Sequence, residues 1–439
     1  MKKGIVALLV VLALVVIVSP GIMGRLAEKS VDENLNWAAA ESGDVVVTSE
    51  AFDRGWFSSE GQHRVEIKES NMKAMLAAMG KPVYNDDLPV LLINTHLDHG
   101  LIPISSMSRE KGSLTPGLGS AVSTLSVEFD DGETIDIPGK IFSKVGLGGE
   151  LQSSYVLEAG SAEQNGGKAT WGPTEIDITT NPSSGDVTFA GNIGTLSFAD
   201  GTDSLTVDGL VFSGRQSPTE FGIPIGDMKL ELDAMSVSSG GAPAGGLKHM
   251  SVDGATTLDN GRLSGRTLLE MESQSIPQFG EFSVVADISL EGADAMAAGA
   301  LQQALEAQGT NPDPGQLFAT VEDDLKRLLA AGFEMRVDQL DVALPMGTVK
   351  TKLDISIPEE DATTFEWTSL MIGPEASADI SVPEALIDMA LQMNPEAGAM
   401  VAMGFLQKNG DVYEMQAEYK KGLLTINGAP IPIPFGAIQ

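Results

Sequence analysis

Apolar and polar residues alternate one by one along much of the chain. Two clear runs are residues 228–233, Met-Lys-Leu-Glu-Leu-Asp, and residues 349–357, Val-Lys-Thr-Lys-Leu-Asp-Ile-Ser-Ile. A period of two places the apolar side chains on one face of a β-strand and the polar ones on the other. Such strands are typical of antiparallel sheets with one solvated face. The pattern therefore predicts an α+β protein that is predominantly antiparallel β.

Turn dipeptides separate several of these alternating runs. Asn-Gly and Asp-Gly supply the positive φ angles that tight hairpins need. Four such pairs predict sequential hairpins, and hence a long, twisted and curved meander sheet: Asp131-Gly132, Asp200-Gly201, Asn260-Gly261 and Asn409-Gly410. Three segments rich in Gly, Ser and Pro predict loops between hairpins: 108–120, 160–172 and 238–246.

The alternation changes phase once, between residues 333 and 344. Apolar residues occupy odd positions up to Val337 and even positions from Leu340 onwards. A regular strand cannot place both sets on one face. The phase change therefore predicts a β-bulge near Asp338–Gln339.

Helical periodicity is confined to the C-terminal half. Residues 293–308 and 316–331 carry apolar stripes and are followed by Gly309 and Gly332, so they predict a helical hairpin. A third region, 383–407, is interrupted by Asn394-Pro395, which predicts two short helices or a kink. Its Met-rich face forms either an adaptable core or a binding surface: Met389, Met393, Met400 and Met403.

The N-terminus contains one long apolar segment. No charge occurs between Gly4 and Gly24, a length of 21 residues, and Lys2 and Lys3 precede it. A helix needs roughly 20 apolar residues to cross a bilayer, and the lysines place the N-terminus in the cytoplasm. The segment predicts a signal anchor. A cleaved signal peptide is the alternative, although Pro20 falls where a small-x-small cleavage motif belongs.

Composition excludes several functional classes. The chain has 27 basic and 61 acidic residues, a formal net charge of −34, and no cysteine. Nucleic-acid binding requires basic patches that neutralise phosphates, so the charge argues against it. Without cysteine there is no disulfide, thiolate nucleophile or iron–sulfur centre. We predict no cofactor.

Candidate chemical motifs are few. His96-Leu97-Asp98-His99 has a metal-like spacing, but it follows a strand-like run, and a strand directs the two histidines to opposite faces. Adjacent acids such as Asp86-Asp87 match no calcium-loop spacing, and no nucleophile elbow or phosphate loop occurs. We therefore assign no catalytic, cofactor-binding or metal-binding residue.

One motif stands apart because it joins an arginine, a glycine and two aromatic residues between two predicted strands, 44–49 and 63–68. It is Arg54-Gly55-Trp56-Phe57-Ser58-Ser59. His99-Gly100 follows another strand, and Asn427-Gly428 lies in the closing tract. With the N-terminal segment and the helical hairpin, these motifs resemble the bacterial YdgA family (DUF945) over essentially the whole chain, and more distantly AsmA-like envelope proteins. The family has no established reaction.

The resemblance and the N-terminal segment imply a location and an architecture. We expect residues 1–25 to form an inner-membrane anchor and residues 26–439 to form one exported, periplasmic β-rich domain. The leading hypothesis is a non-enzymatic envelope protein that acts as a scaffold or binds an apolar, lipid-like ligand. The alternatives are an envelope glycan or lipid hydrolase, and a structural protein that dimerises through a strand edge.

Overall fold

The protein is described by a computed structural model. It describes residues 45–54, 58–67, 90–99 and 119–128, then 132–431 except for 133, 147, 165–166, 182, 274–279, 309–313 and 394–400. The predicted membrane anchor lies outside these residues. Within them, no helix is both long and apolar enough to span a bilayer.

The chain divides into two compact units, each with its own antiparallel β-structure. The first comprises residues up to Ser217 together with Val237–Ala242, and the second comprises Pro218–Ser236 together with residues from Pro243 onwards. Every strand pair whose register is defined is antiparallel, as the alternating sequence predicted, with β1–β2 and β21–β22 as examples. Among the described residues, three α-helices with defined bounds accompany the strands, all in the second unit.

The first unit contains twelve of the described strands. They are β1 Val45–Arg54, β2 Ser58–Ile67, β3 Val90–His99, β4 Gly119–Glu128, β5 Thr134–Val145, β6 Leu151–Leu157, β7 Gly160–Gln164, β8 Gly167–Trp171, β9 Thr174–Thr180, β10 Val187–Ile193, β11 Leu196–Asp200 and β12 Asp203–Ser217. Strands β1 to β6 form a meander. Strand β6 then pairs with β9, β9 with β10, and β10 with β12. Strand β12 also pairs with β11, which continues through β8 to β7.

The strand pairing of the first unit is interrupted along a line that crosses neighbouring strands, which we call the crease. Below it, Leu157 aligns with Thr174, Ile193 and Leu210. Above it, Gly160 aligns with Trp171, Leu196 and Val207. Each chain segment therefore has two residues outside the strand register at the crease, 158–159, 172–173, 194–195 and 208–209. The same strand face is apolar on both sides, and one core cluster includes Leu157 and Leu196.

Glycine is required where the crease segments approach each other. The Gly172 N–H donates to the Thr195 carbonyl at 2.7 Å, and the Gly194 N–H donates to the Pro173 carbonyl at 3.0 Å. A Cβ on Gly172 would lie 2.9 Å from the Thr195 nitrogen. Only a residue without a side chain permits this close backbone packing.

The second unit contains the remaining elements. Its strands are β13 Ile225–Ser239 and β14 Ala242–Asp259, each mainly in this unit, β15 Arg262–Ser273, β16 Ser283–Asp294, β17 Phe333–Leu344, β18 Gly347–Ile357, β19 Glu375–Pro383, β20 Gln407–Asn409, β21 Val412–Lys420, β22 Leu423–Ile426 and β23 Ala429–Ile431. Its helices are α1 Ala295–Gln308, α2 Pro314–Ala331 and α3 Glu384–Met393, with a 3₁₀ helix at Trp367–Met371. Strands β14 to β19 pair in sequence, β19 pairs with β21, and β21 to β23 form a final meander.

The predicted hairpins and bulge are confirmed. Strands join across Gly132, across Gly201, across Asn260-Gly261 and across Gly410, and each of these residues has a positive φ. The bulge lies at Asp338–Gln339, where Val337 pairs with Leu353 but Leu340 pairs with Thr351.

Two predicted loops are wrong. Residues 160–172 form strands β7 and β8, and 238–246 contains only a two-residue turn between β13 and β14. In both cases the cross-strand ladder overrides the weak strand preference of glycine and serine. Segment 108–120 lies outside the described residues apart from Gly119 and Ser120, which belong to β4.

The helical hairpin is confirmed. Asp294 caps α1, since its Oδ1 accepts from the Ala297 N–H at 2.9 Å. Helix α2 ends at Ala331, and the following Gly332 has a φ of +70°, the left-handed conformation typical of the residue after a helix C-terminus. Arg262 Nη1 donates to the Ala331 carbonyl at 2.6 Å, which places a cation at the negative end of α2. Helix α3 ends at Met393, immediately before the predicted break at Asn394-Pro395.

Candidate functional site

The structure brings the described half of the N-terminal family motif to one end of the first sheet. Arg54 ends β1 and pairs with Ser59, while Ser58 begins β2 and pairs with Asp98. His99 ends β3 at the same level. Gly55, Trp56, Phe57 and Gly100 lie outside the described residues. The backbone of Arg54, Ser58, Ser59 and His99 thus converges on one strand end.

Asn427-Gly428 lies in the second unit and has a structural role there. The two residues have φ angles of +50° and +76° between the paired residues Ile426 and Ala429, which is a type I′ turn. The Asn427 side chain accepts from the Gln416 N–H at 2.8 Å. Its amide donates to the carbonyls of Gly404 at 3.0 Å and Phe405 at 3.1 Å. Asn427 therefore joins three chain segments.

We expect Asn427→Ala to lower the free energy of unfolding of the second unit. It removes three side-chain hydrogen bonds worth about 0.5–1.5 kcal/mol each, so the expected loss is about 2–4 kcal/mol. Asn427→Asp is the control, because it keeps the acceptor for Gln416 and loses only the two donors. Urea denaturation of both variants checks this. Equal midpoints for Asn427→Ala and the parent would refute the role.

The histidine motif does not form a clustered site in the described structure. His96 lies in β3, and its Nδ1 is 3.5 Å from Glu60 Oε1 across the strand pair. His99 is three positions further along and ends the same strand, and its side chain lies outside the described structure. Across the described ranges, no group of three metal-ligating side chains is present.

The sheet of the second unit has one continuous apolar face. Register aligns the residues of successive strands in rows, and two central rows are Val252, Leu269, Ala286, Leu340, Thr351, Ile380, Met415, and Thr267, Ile288, Val337, Leu353, Ala378, Ala417, Ile426. We call these two rows the apolar face. Because the bulge at Asp338–Gln339 absorbs the phase change, Val337 and Leu340 both remain on it.

Most of the apolar face stays partly accessible to solvent. Ile288 is 43 % exposed, and Leu353, Ile380 and Met415 are half-buried. By contrast, the core cluster of fully buried apolar residues lies in the first unit, between Val65 and Phe198. At about 4.8 Å per strand, a row across seven strands is roughly 29 Å long. The face is thus an extended and partly accessible apolar surface.

The opposite face of the same sheet is charged and is crossed by ion pairs. Arg266 binds Asp287 through two donors, Nε to Oδ1 at 2.8 Å and Nη2 to Oδ2 at 2.5 Å. Lys229 binds Asp253 at 2.9 Å and Lys420 binds Glu375 at 2.7 Å. The hydrogen bonds from Arg266 lower the pKa of the Asp287 carboxyl below its usual value.

We expect the Arg266–Asp287 pair to make stability depend on pH in the acid range. A lowered folded-state pKa contributes stability that is present above the unfolded pKa of about 3.9 and is lost as pH falls through the folded pKa. Asp287→Asn should therefore cost about 1 kcal/mol at pH 7 and almost nothing at pH 2. Denaturation of both proteins at the two pH values measures this difference. A difference that grows towards pH 2 would contradict the assignment.

The crease of the first unit contains a cavity of about 590 Å³. Trp171 and Phe142 line it together with Val156, Leu157 and Pro138, and Glu158 and Lys140 stand among the apolar groups. The indole Nε1 of Trp171 donates to the Glu158 carbonyl at 3.0 Å, which fixes the ring. The volume lies in the range of small-ligand pockets.

Sequence reasoning missed this cavity. The available signal was the recurrence of glycine beside proline or threonine at the strand interruptions, in Pro138-Gly139, Gly172-Pro173 and Gly194-Thr195. Gly139 has a φ of +111°, and a Cβ there would lie 2.9 Å from the Tyr155 ring. The Tyr155 hydroxyl donates to the Pro138 carbonyl at 2.8 Å, and burial raises the pKa of Tyr155 to about 12.

An open antiparallel sheet with one apolar and one ion-paired face defines an amphipathic β-sheet protein, and no catalytic arrangement is apparent within the described residues. The family model described as "Bacterial protein of unknown function (DUF945)" matches residues 1–434. The chain therefore belongs to the DUF945 family. A curated relative, "Protein YdgA" from Escherichia coli (strain K12), is 24 % identical over 292 residues. That match covers 61 % of this chain and 54 % of the relative, so the chain spans about half of the relative's length. No solved structure matches the chain.

Proposed function

We propose that the protein is a membrane-anchored protein of the bacterial periplasm that binds an apolar, lipid-like ligand without chemically changing it. The single observation that carries the binding function is the apolar face, whose rows stay partly exposed across seven strands of the second unit. Apolar surface of this extent gains free energy when a ligand removes it from water. A row of roughly 29 Å is long enough for an extended acyl chain.

The proposed location rests on the N-terminal sequence. Residues 1–25 combine two lysines with an uncharged apolar segment of spanning length, which supports a single-pass inner-membrane anchor. The net charge of −34 supports a solvated outer surface and opposes binding to nucleic acid. Anchoring would keep the protein at the membrane that contains the proposed lipid ligand.

Four described carboxyl groups are held in their ionised form by hydrogen bonds. The described carboxyl groups with resolved shifts all have a lowered pKa, because hydrogen bonds stabilise the ionised form: Asp186, Asp287, Glu322 and Asp361. A glycosidase general acid needs the opposite, a raised pKa that keeps it protonated near neutral pH. These groups therefore suit surface ion pairs and turns.

We expect Ile288→Lys in the full-length protein to weaken binding of a fluorescent fatty acid at least tenfold. Ile288 lies in a central row and is already 43 % exposed, so the substitution places a charge on the apolar face with little loss of folding free energy. Gln339→Lys, on the charged face of the adjacent strand, is the matched control and should bind like the parent. Fluorescence titration measures both affinities. Equal affinity in the two variants would place the ligand elsewhere.

A further inference from the structure

Strand β7 is an open sheet edge in the first unit. Of the strands that the structure describes, it pairs only with β8. Gly160, Ser161, Ala162 and Glu163 are all exposed. Proteins usually protect such edges with lysine, proline or bulky cover, yet β7 reads Gly-Ser-Ala-Glu-Gln and has neither lysine nor proline. Its backbone donors and acceptors on that side are therefore available to another strand.

The first part of β5 forms a second open edge, which separates from β7 at the crease. Strand β5 pairs with β6 only as far as Lys140–Val156. Its earlier residues, from Thr134 to Ile137, pair with β4 alone among the described strands. We call the gap between residues 134–139 of β5 and β7 the seam. Inner-face residues on both sides, Ile137 and Phe198 among them, belong to one core cluster, so the seam is an opening in the edge of a packed structure.

The 590 Å³ cavity lies at the closed end of the seam. Its lining includes residues 138–140 from one edge and 156–160 from the other. A Cβ on Gly160 would lie 2.9 Å from the Trp171 ring, so this ring packs directly against the edge backbone. A backbone edge that leads into an aromatic cavity combines main-chain pairing with a pocket for one side chain. This combination is typical of β-strand addition.

We propose that the seam binds an extended, basic polypeptide segment of a partner protein, which adds a strand to β7 and places one apolar side chain in the cavity. A polypeptide is the ligand class that supplies alternating N–H and C=O groups to a strand edge, which an acyl chain cannot do. Charge favours a basic segment. Three acids stand around the seam, Asp136, Glu158 and Glu163, against two lysines, Lys140 in the cavity lining and Lys168, which lies 3.6 Å from Glu163. The whole chain has a net charge of −34, so the long-range field also attracts a cationic segment. This site lies in the first unit and is independent of the apolar face.

The test uses the full-length protein and a labelled peptide, Lys-Val-Lys-Phe-Lys-Val. We expect saturable binding in fluorescence anisotropy and slower hydrogen exchange of the β7 amides when the peptide is bound. The same peptide methylated on alternate backbone amides cannot complete the ladder and should bind at least tenfold more weakly. The acidic peptide Glu-Val-Glu-Phe-Glu-Val should also bind at least tenfold more weakly.

A variant pair locates the site. Ala159→Trp fills the cavity and should abolish peptide binding, whereas Asn192→Trp, an exposed position on a strand paired on both sides, should not. Equal binding of the methylated peptide would overturn strand addition. Protection of β7 amides in the free monomer would overturn it too, because a segment of the same chain would occupy the seam. Protection that rises with protein concentration would assign the seam to a second copy of the chain instead.

Discussion

Gly332→Ala is expected to lower the free energy of unfolding of the second unit by about 2–5 kcal/mol, from backbone strain and overpacking together. Gly332 has a φ of +70°, which a residue with a Cβ adopts at a cost. Its Cβ would also lie 2.7 Å from both the Glu359 nitrogen and the Ile357 carbonyl oxygen. Those atoms are backbone and cannot rotate away. The end of α2 would have to move off the sheet.

Gly261→Ala is the matched control for this prediction. Gly261 has a φ of +76°, almost the same, but no atom lies within 4 Å of the position that a Cβ would occupy there. This variant should show only the conformational cost of about 1–2 kcal/mol. Urea denaturation of both variants separates the two contributions. Equal losses would show that packing at the end of α2 contributes nothing.

Gly299→Ala should also destabilise the protein, against the intrinsic preference of a helix. In an open helical position, replacing glycine by alanine gains about 1 kcal/mol. Gly299 lies in α1, however, and a Cβ there would overlap the Phe221 carbonyl oxygen. We expect a net loss of about 2 kcal/mol or more, because α1 must separate from the segment that precedes β13.

The direction in which Gly299→Ala shifts the thermal unfolding midpoint tests this prediction. A thermal unfolding midpoint below that of the parent confirms the close contact between α1 and Phe221. A midpoint above it would mean that the helix has room for the methyl group. Ala300→Gly, one position further along α1, is the control and should cost only the helix propensity of about 1 kcal/mol.

The local features of the fold were predictable because they depend on neighbouring residues. Asn260-Gly261 has positive φ angles in any tight hairpin, and the phase change after Val337 requires an extra residue somewhere nearby. The end of α2 just before Gly332 follows from the same local preference. The apolar face also follows directly from alternation, once the strands pair in register.

The crease and the seam could not be predicted because they depend on alignment between distant segments. Gly160 to Trp171 contains glycine, serine and alanine, so local preference indicates a loop. These residues become strands through pairing with β11, about 30 positions later in the chain. The cavity arises only when 138–140, 156–160 and Trp171 meet. Neither composition nor periodicity predicts contacts between these distant segments.

The two proposed binding surfaces, the apolar face and the seam, therefore arise from different features of the sequence. The alternation of apolar and polar residues produces the apolar face of the second unit, because every second residue of each strand lies on that face. Strand interruption produces the seam of the first unit, which only the assembled sheet reveals. The residues of the family motif show the same difference. Asn427 forms a local turn, whereas the backbones of Arg54 and His99 reach the same end of the sheet only through strand pairing.

Site-specific photocrosslinking in living cells tests the central claim most directly. A photoreactive amino acid is placed at Leu353, in a central row of the apolar face, or at the adjacent Asp354, on the charged face of the same strand. The two positions are adjacent in β18, and their side chains point to opposite faces of the sheet. We predict lipid adducts, detected by mass spectrometry of the full-length protein, from position 353 and none from position 354. Adducts from both positions alike, or from neither, would contradict lipid binding on the apolar face.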